Sequence, residues 1–271
     1  MTTDRSAVSP APGLSRAQWT TFEATGVVRL PGLIPRVDAL AMADRIWDFL
    51  ARRDGVRRDA PETWTSTRPA QFAPLSRAGA FGAMASPGVH TVLDEVFGAD
   101  GWVRPKRWGL PLVTFPAPGR AWDVPHASWH LDLDGAVAPS LPTSYLRLFV
   151  LLADLEPRGG GAAYVSGSHR LSIDWARRRG GKPIRSAEAR ERLVREHPWF
   201  AALCSAGERD ERVRRFMDAG ATIDGVEVRV REMLGEAGDV ILMHPATLHT
   251  AAPNGREVPR MMLVEGIAAV A

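Results

Sequence analysis

The sequence predicts a mainly β fold, a sandwich or barrel with helices packed outside it, and three observations carry that expectation. Helical patterns fill roughly the first third of the chain and strand patterns most of the rest. The strand runs are short, apolar and bounded by Pro and Gly. They do not alternate with helices in the βαβ manner that a doubly wound parallel sheet requires.

Taken in order, residues 1–13 are rich in Pro, Ser and Ala and read as a flexible N-terminal tail. Ser15 then opens a helix. Gln18 stands three residues on to complete a capping box, and Leu14 is placed to staple onto Trp19. Gly26 stops that helix, and "VVRL" follows as a strand closed by Pro31 and Gly32. A second helix is expected from Arg36 to Arg53, because Leu40, Ala43, Trp47 and Leu50 recur on one face and Gly55 supplies a stop. Residues 56–85 read as loop. Ser86 and Pro87 start a short helix that ends at Gly98, proline being favourable where no intrahelical N–H bond is needed. Strands are expected in "WGLPLVTFP", "SYLRLFVLLADL" and "GAAYVSG". A helical insert at about 172–219, rich in Arg and Glu, separates these from strands in "VEVRVREM", "GDVILMH" and "PRMMLVEGIAAV". No internal repeat or domain-sized linker interrupts the chain, so 14–271 is expected to be a single domain.

Composition narrows the function. With 271 residues, 45% hydrophobic and 24% charged, the chain carries enough apolar side chain for a real core. The formal charge is only +3, and the basic residues, all arginine except Lys106 and Lys182, are interspersed with acids. A nucleic-acid partner is therefore not expected. No run approaches a membrane span and the N-terminus lacks the apolar segment of a signal peptide, so no membrane role is expected either. Cys204 is the single cysteine, which excludes an internal disulfide and a Cys-based zinc site and fits a cytoplasmic location.

One short stretch, "WHLDLD" at 129–134, points to chemistry. In a strand, residues i and i+2 share a face, so His130 and Asp132 aim at one point, and Asp134 continues the face if the strand persists. A lone His-x-Asp pair arises readily by chance, so the reading needs a third ligand from another strand. His244 ends an apolar strand, where a backbone-capped histidine is the ordinary reading. His249 follows in "TLHTAAP", just before a turn. Two neutral imidazoles and one carboxylate suit a facial triad for non-haem iron, with zinc or manganese able to use the same ligands. Arg260, eleven residues after His249 and across the turn, can return beside the metal on the next strand. An arginine buried in a barrel needs an anion, and a carboxylate meets its fork in a bidentate pair. A metal beside an arginine that holds a dicarboxylate is the 2-oxoglutarate arrangement. Arg256 lies in the turn and is expected to face solvent.

At these residues the chain resembles the phytanoyl-CoA dioxygenase (PhyH-like) family of Fe(II)/2-oxoglutarate oxygenases. The family's His-x-Asp…His triad matches "HLD" (His130, Asp132) and "LHTAAPN" (His249), and its 2-oxoglutarate arginine matches Arg260 of "EVPRMML". Similarity extends to "QWTTFEATGVVRLPGLI" and "LADLEPRGGGAAYVSGSHR", hence over most of 14–270. The resemblance implies a double-stranded β-helix (jelly-roll, cupin-like) core. It also implies Fe(II), 2-oxoglutarate and O2 as cofactor and cosubstrates, and hydroxylation of a small molecule with release of succinate and CO2. Because Asp132 is present, the halogenating variants that lose this carboxylate are disfavoured.

Other residues carry weaker expectations. On "SYLRLFVLLADL", Tyr145, Arg147, Phe149 and Leu151 share one face, while Leu146, Leu148, Val150 and Leu152 share another that is wholly apolar. The apolar face should meet the helices, which turns Arg147 towards the lumen as a candidate cosubstrate or substrate contact. Trp122, His126 and Trp129 flank the triad and are candidate substrate residues. His169 belongs to a Gly-Ser-His turn and reads as structural, and His90 and His197 read as surface residues on helices. The triple glycine at 159–161 lacks the Gly-Lys-Ser/Thr of a phosphate-binding loop and reads as a turn. Two alternatives stay open: a cupin-type metalloenzyme that does not use 2-oxoglutarate, and a non-catalytic ligand-binding barrel. Neither substrate identity nor oligomeric state has a signal in the sequence.

Overall fold

The computed structural model describes residues 13–117, 121–135, 138–141 and 143–270, so apart from Gly13 the expected tail lies outside the described residues. Helix α1 (Arg16–Thr25) starts from the expected box: Ser15 Oγ accepts from Gln18 N at 3.3 Å, and Gln18 Oε1 accepts from Ser15 N at 2.8 Å. Gly26 ends it in the left-handed region (φ 79°), and β1 (Val27–Leu30) follows directly. Helix α2 (Arg36–Asp54) buries Ala39, Met42, Ala43, Ile46, Trp47 and Leu50 and stops at Gly55. The segment read as loop holds a short helix, α3 (Ala73–Arg77), and two 3-10 turns. Five residues are too few to show a helical period, which is why the pattern missed it. Helix α4 (Pro87–Phe97) starts from Ser86, whose side chain accepts from Val89 N.

Two antiparallel sheets follow. The first joins β1, β2 (Leu110–Thr114), β3 (Tyr145–Leu151), β7 (Val240–Met243) and β9 (Arg260–Ala268) in the order β1-β7-β3-β9-β2. The second joins β4 (Ala162–Ser166), β5 (Ala221–Ile223), β6 (Val226–Glu232) and β8 (His249–Ala251) in the order β5-β6-β4-β8. From β6 to β9 every connection crosses between the sheets, which winds them as a double-stranded β-helix. Between β4 and β5 lie α5 (Ser168–Arg178), α6 (Ser186–Glu196), α7 (Pro198–Leu203), α8 (Arg209–Val213) and a π-helical turn at Arg214–Ala219. The helical segment thus opens at the Gly-Ser-His turn rather than at 172, because Gly167 (φ 83°) reverses the chain straight into α5.

The packing explains the layers. Leu146, Leu148 and Val150 of β3 join α1, α2 and α4 in one core, while Phe149 and Leu151 face inward with Val27, Tyr164, Ile241, Met243 and Met262 between the sheets. The expected division of faces on β3 is the observed one. A third core packs Val165, Val228, Val230 and Leu248 against the insert, through Leu171, Leu193, Phe200 and Phe216. Each such fully buried side chain contributes about 1.5–3 kcal/mol of transfer free energy. Both outer sheet faces are therefore covered by helix. Helical residues outnumber strand residues among the described ones, so the fold is mixed helix and sheet rather than mainly β as expected. The reason is that the insert and the N-terminal helices must each bury a whole sheet face. No described helix is long and apolar enough to cross a membrane.

Candidate metal centre

His130 and His249 face each other as an antiparallel bridge, each N–H donating to the other's C=O at 2.9 Å. Their rings lie 4.2 Å apart, tilted by 45°. Asp132 follows with its N–H on Pro245 O at 2.8 Å. The ligand atoms of His130, Asp132 and His249 all lie within 4.8 Å of one another, as a metal site requires. Each imidazole places Nδ1 on a carbonyl, His130 on Ser128 O at 2.9 Å and His249 on Thr247 O at 3.0 Å. With Nδ1–H donating, Nε2 of each ring keeps its lone pair free for a metal. Burial pushes the His249 imidazole down to about 4, against the opposing pull of Asp132, so the ring is neutral, the form that ligates.

The stretch expected as a strand makes only isolated bridges, His130 to His249 and Asp134 to Arg185, and its far side shows why. Leu131, between the two ligands, donates its N–H to Ser186 Oγ at 3.0 Å and accepts the Ser186 hydroxyl at its carbonyl. Ser186 N donates in turn to Leu133 O at 3.1 Å. The first residue of α6 thus takes the place of a neighbouring strand. The insert holds the ligand segment against β8.

Arg147 does face the lumen, and the structure places it on the metal carboxylate: its Nε donates to Asp132 Oδ2 at 2.7 Å. The same oxygen lies 3.6 Å from His249 Nε2. Arg147 therefore sits beside a ligand rather than beside Arg260.

Arg260 is 5% exposed, at the start of β9. Its Nη2 donates to Thr114 Oγ1 at 2.5 Å and its Nη1 to Leu112 O at 3.2 Å, both neutral acceptors, while Nε has no partner among the described residues. Burial, with Arg68 nearby, pushes the guanidinium down to about 9. Among the described residues no carboxylate partners this buried cation, an arrangement that costs free energy unless an anion is supplied. Arg256 is exposed, as expected, with its Nε on Pro157 O.

A cavity of about 400 Å³ adjoins this machinery, lined among others by Arg68, Thr114, His126, Ser128, Thr250 and Asn254. Thr114 touches Arg260, Ser128 holds His130, and Thr250 follows His249. Of the candidate substrate residues, His126 is exposed and lines this cavity. Trp122 and Trp129 do not: both are buried in the insert-side core, and Trp129 Nε1 donates to Pro125 O at 2.8 Å. His244 and His169 are fully buried and structural, His244 Nε2 donating to Ser140 O and His169 Nε2 to Glu23 O. His90 is half-buried and packs edge-on against Trp102, 5.2 Å away, rather than lying free on the surface.

Three contributors escaped the sequence reading: Thr114, Ser186 and Asn254. The buried Asn254 amide donates to Thr114 O at 3.2 Å and Val258 O at 2.8 Å and so ties the β8–β9 turn to β2. Its only sequence signal was the Pro-Asn-Gly turn.

The sequence model described as Phytanoyl-CoA dioxygenase (PhyH) matches residues 22–262. No curated protein matches the chain. Among solved structures, HygX from Streptomyces hygroscopicus, determined with nickel and 2-oxoglutarate bound, superposes with a TM-score of 0.54 at 18% identity, covering 95% of this chain and 88% of that one. The non-heme alpha-ketoglutarate-dependent epimerase SnoN of nogalamycin biosynthesis gives 0.53 at 17% identity, covering 93% and 81%. The carbocyclase SnoK of the same biosynthesis gives 0.50 at 16%, covering 94% and 83%. At these identities the likeness establishes the fold.

Proposed function

The chain belongs to the phytanoyl-CoA dioxygenase family, and from that premise we propose that it is an Fe(II)- and 2-oxoglutarate-dependent dioxygenase that hydroxylates a C–H bond of a small molecule. The observation that carries the reading is the pairing of a His-Asp-His cluster with Arg260, a buried cation lacking a described anionic partner. The donor set fits iron: two neutral imidazoles with free Nε2 and one carboxylate, a combination that leaves coordination positions open. Iron held there supplies oxygen activation coupled to the decarboxylation of 2-oxoglutarate to succinate and CO2.

The chain's own residues do the rest. Thr114 and Leu112 aim the Arg260 fork, which binds the distal carboxylate of 2-oxoglutarate in a charge-assisted, bidentate pair. Arg147 fixes the Asp132 carboxylate and balances its charge. The cavity bounded by Thr114, His126 and Thr250 gives a small molecule room beside the cluster.

The test is aerobic incubation with Fe(II) and 2-oxoglutarate, following succinate by NMR. The wild type should form succinate and Asp132→Ala should not; equal turnover in both would remove the cluster from the chemistry. SnoN and SnoK show that related folds serve epimerisation and ring closure, so product mass decides the outcome. A gain of one oxygen establishes hydroxylation. An unchanged mass, or the loss of two hydrogens, would replace it with isomerisation or cyclisation.

A further inference from the structure

Arg147, which holds the Asp132 carboxylate, also lines a second opening. A cavity of about 330 Å³ lies where β2 begins and β9 ends, and its lining includes Ser76, Arg77, Arg107, Arg147, Glu265 and Gly266. Along β9, alternation puts Arg260 and Gly266 on the same, inward face. Six residue steps along the strand separate them, about 20 Å at ~3.3 Å per residue, so this opening is distinct from the surroundings of Arg260.

Three features shape the opening and link it, through Arg147, to Asp132. A Cβ at Gly266 would lie 2.0 Å from Tyr145 Oη and 3.2 Å from Arg147 Nη1, so glycine is what leaves room for the phenol and the guanidinium. Arg147 stacks over Tyr145, 5.4 Å from the ring centre, and its Nε rests on Asp132, so one guanidinium spans from ligand to mouth. Arg77 and Arg107 are exposed and ion-paired to no described residue. The chain segments next to them are tied together by a short chain of bonds: Ser76 Oγ donates to Gly109 O at 2.5 Å, and Gly109 N donates to Glu265 Oε2 at 2.8 Å. Glu265 is the one acid in this lining, and its two oxygens accept the backbone N–H groups of Gly109 and Gly266.

We propose that this mouth admits the substrate and that the substrate is anionic, its carboxylate or phosphate held by Arg77, Arg107 and the free face of Arg147. The inference rests on the dioxygenase reading for the word substrate, and on the geometry alone for the anion site. Isolated surface charges contribute little, but Arg77 and Arg107, ion-paired to no described residue, stand at one concave opening beside an Arg147 whose charge is shared with Asp132, and together they leave a positive potential that a neutral ligand cannot use.

The test is isothermal titration of the metal-free protein with phenyl phosphate, phenylacetate and, as neutral control, benzyl alcohol, each with and without excess 2-oxoglutarate. At least one anion should bind saturably, about ten-fold more tightly than the alcohol, with no competition from 2-oxoglutarate. The Arg77→Ala/Arg107→Ala protein, altered only at exposed positions, should lose about ten-fold in anion affinity while keeping its melting temperature. Preference for phenyl phosphate assigns a phosphate-bearing substrate, and preference for phenylacetate a carboxylate-bearing one. Anions that bind no better than the alcohol, that are displaced by 2-oxoglutarate, or that bind the double variant equally would overturn the proposal. Formation of the coloured Fe(II)–2-oxoglutarate complex, followed separately, keeps the two readings apart. Its failure with anion binding intact removes the dioxygenase and leaves the anion site; the reverse removes only the mouth.

Discussion

Thr114 and Arg260 are partners across the β2–β9 ladder, and the threonine hydroxyl accepts one arm of the guanidinium at 2.5 Å. Thr114→Val keeps the shape and deletes that acceptor, so the fork loses part of its aim. The concentration of 2-oxoglutarate needed for half-maximal turnover should rise about five-fold, from a net hydrogen-bond contribution of about 1 kcal/mol. Arg260→Ala should raise it about 100-fold, as expected for a buried charged pair of roughly 2–3 kcal/mol. Arg260→Lys should fall between them, keeping charge but losing the fork. A Lys variant equal to wild type would show that the planar geometry is not used.

The Arg147–Asp132 contact gives a second prediction, about metal rather than cosubstrate. Arg147→Met should lower Fe(II) affinity about ten-fold, within the ~10–100-fold range of residues that orient a metal ligand. Asp132→Ala should lower it further, since a ligand itself is lost. Competition with a chromophoric chelator reads both values. Unchanged affinity in the Arg147 variant would make the contact incidental.

Ser186 is the insert's hold on the ligand segment, bonded to Leu131 and Leu133. Ser186→Ala should weaken Fe(II) binding about ten-fold and broaden the visible bands of a Co(II)-substituted protein, because Leu131 loses two backbone partners. Ser186→Thr retains the hydroxyl and should restore both. A melting temperature that falls with no change at the metal would assign Ser186 to stability alone.

Acid sensitivity follows from His169 and His244, buried with ring centres 5.3 Å apart. Burial, aided by His244, pushes His169 down to about 3, and burial pushes His244 to about 4. Both lie below the value of about 6.5 in an unfolded chain, so the unfolded state takes up protons first. Their stabilisation is full above pH 6.5 and is lost as pH falls towards 4 and 3, at about 1.4 kcal/mol per pH unit for each ring. Denaturant unfolding at pH 7 and pH 5 should differ by about 2–4 kcal/mol, and His169→Gln should flatten the slope. Equal stability at both pH values would contradict the burial of these rings as neutral groups.

Local rules made part of this legible. The i, i+2 geometry of His130 and Asp132 and the hairpin return from His249 to Arg260 are short-range relations, as are the α1 capping box and the two faces of β3. What escaped is long-range. Ser186 reaches Leu131 across 55 residues, and nothing in "WHLDLD" announces that a helix start will stand in for its missing neighbour strand. The same contact is why the expected strand shrinks to isolated bridges at His130 and Asp134. Trp122 and Trp129 flank the triad in sequence, but sequence proximity does not report which side of a loop faces the cavity. Strand alternation turns Arg147 inward, and its meeting with Asp132 is again a long-range relation that no local pattern carries.

The most direct measurement is anaerobic addition of Fe(II), then 2-oxoglutarate, to the metal-free protein, following the weak visible charge-transfer absorption of the iron–2-oxoacid chelate. The band should develop in the wild type, be absent in Asp132→Ala, and need about 100-fold more 2-oxoglutarate in Arg260→Ala. An iron-loaded wild type that gives no band at any 2-oxoglutarate concentration would contradict the dioxygenase reading.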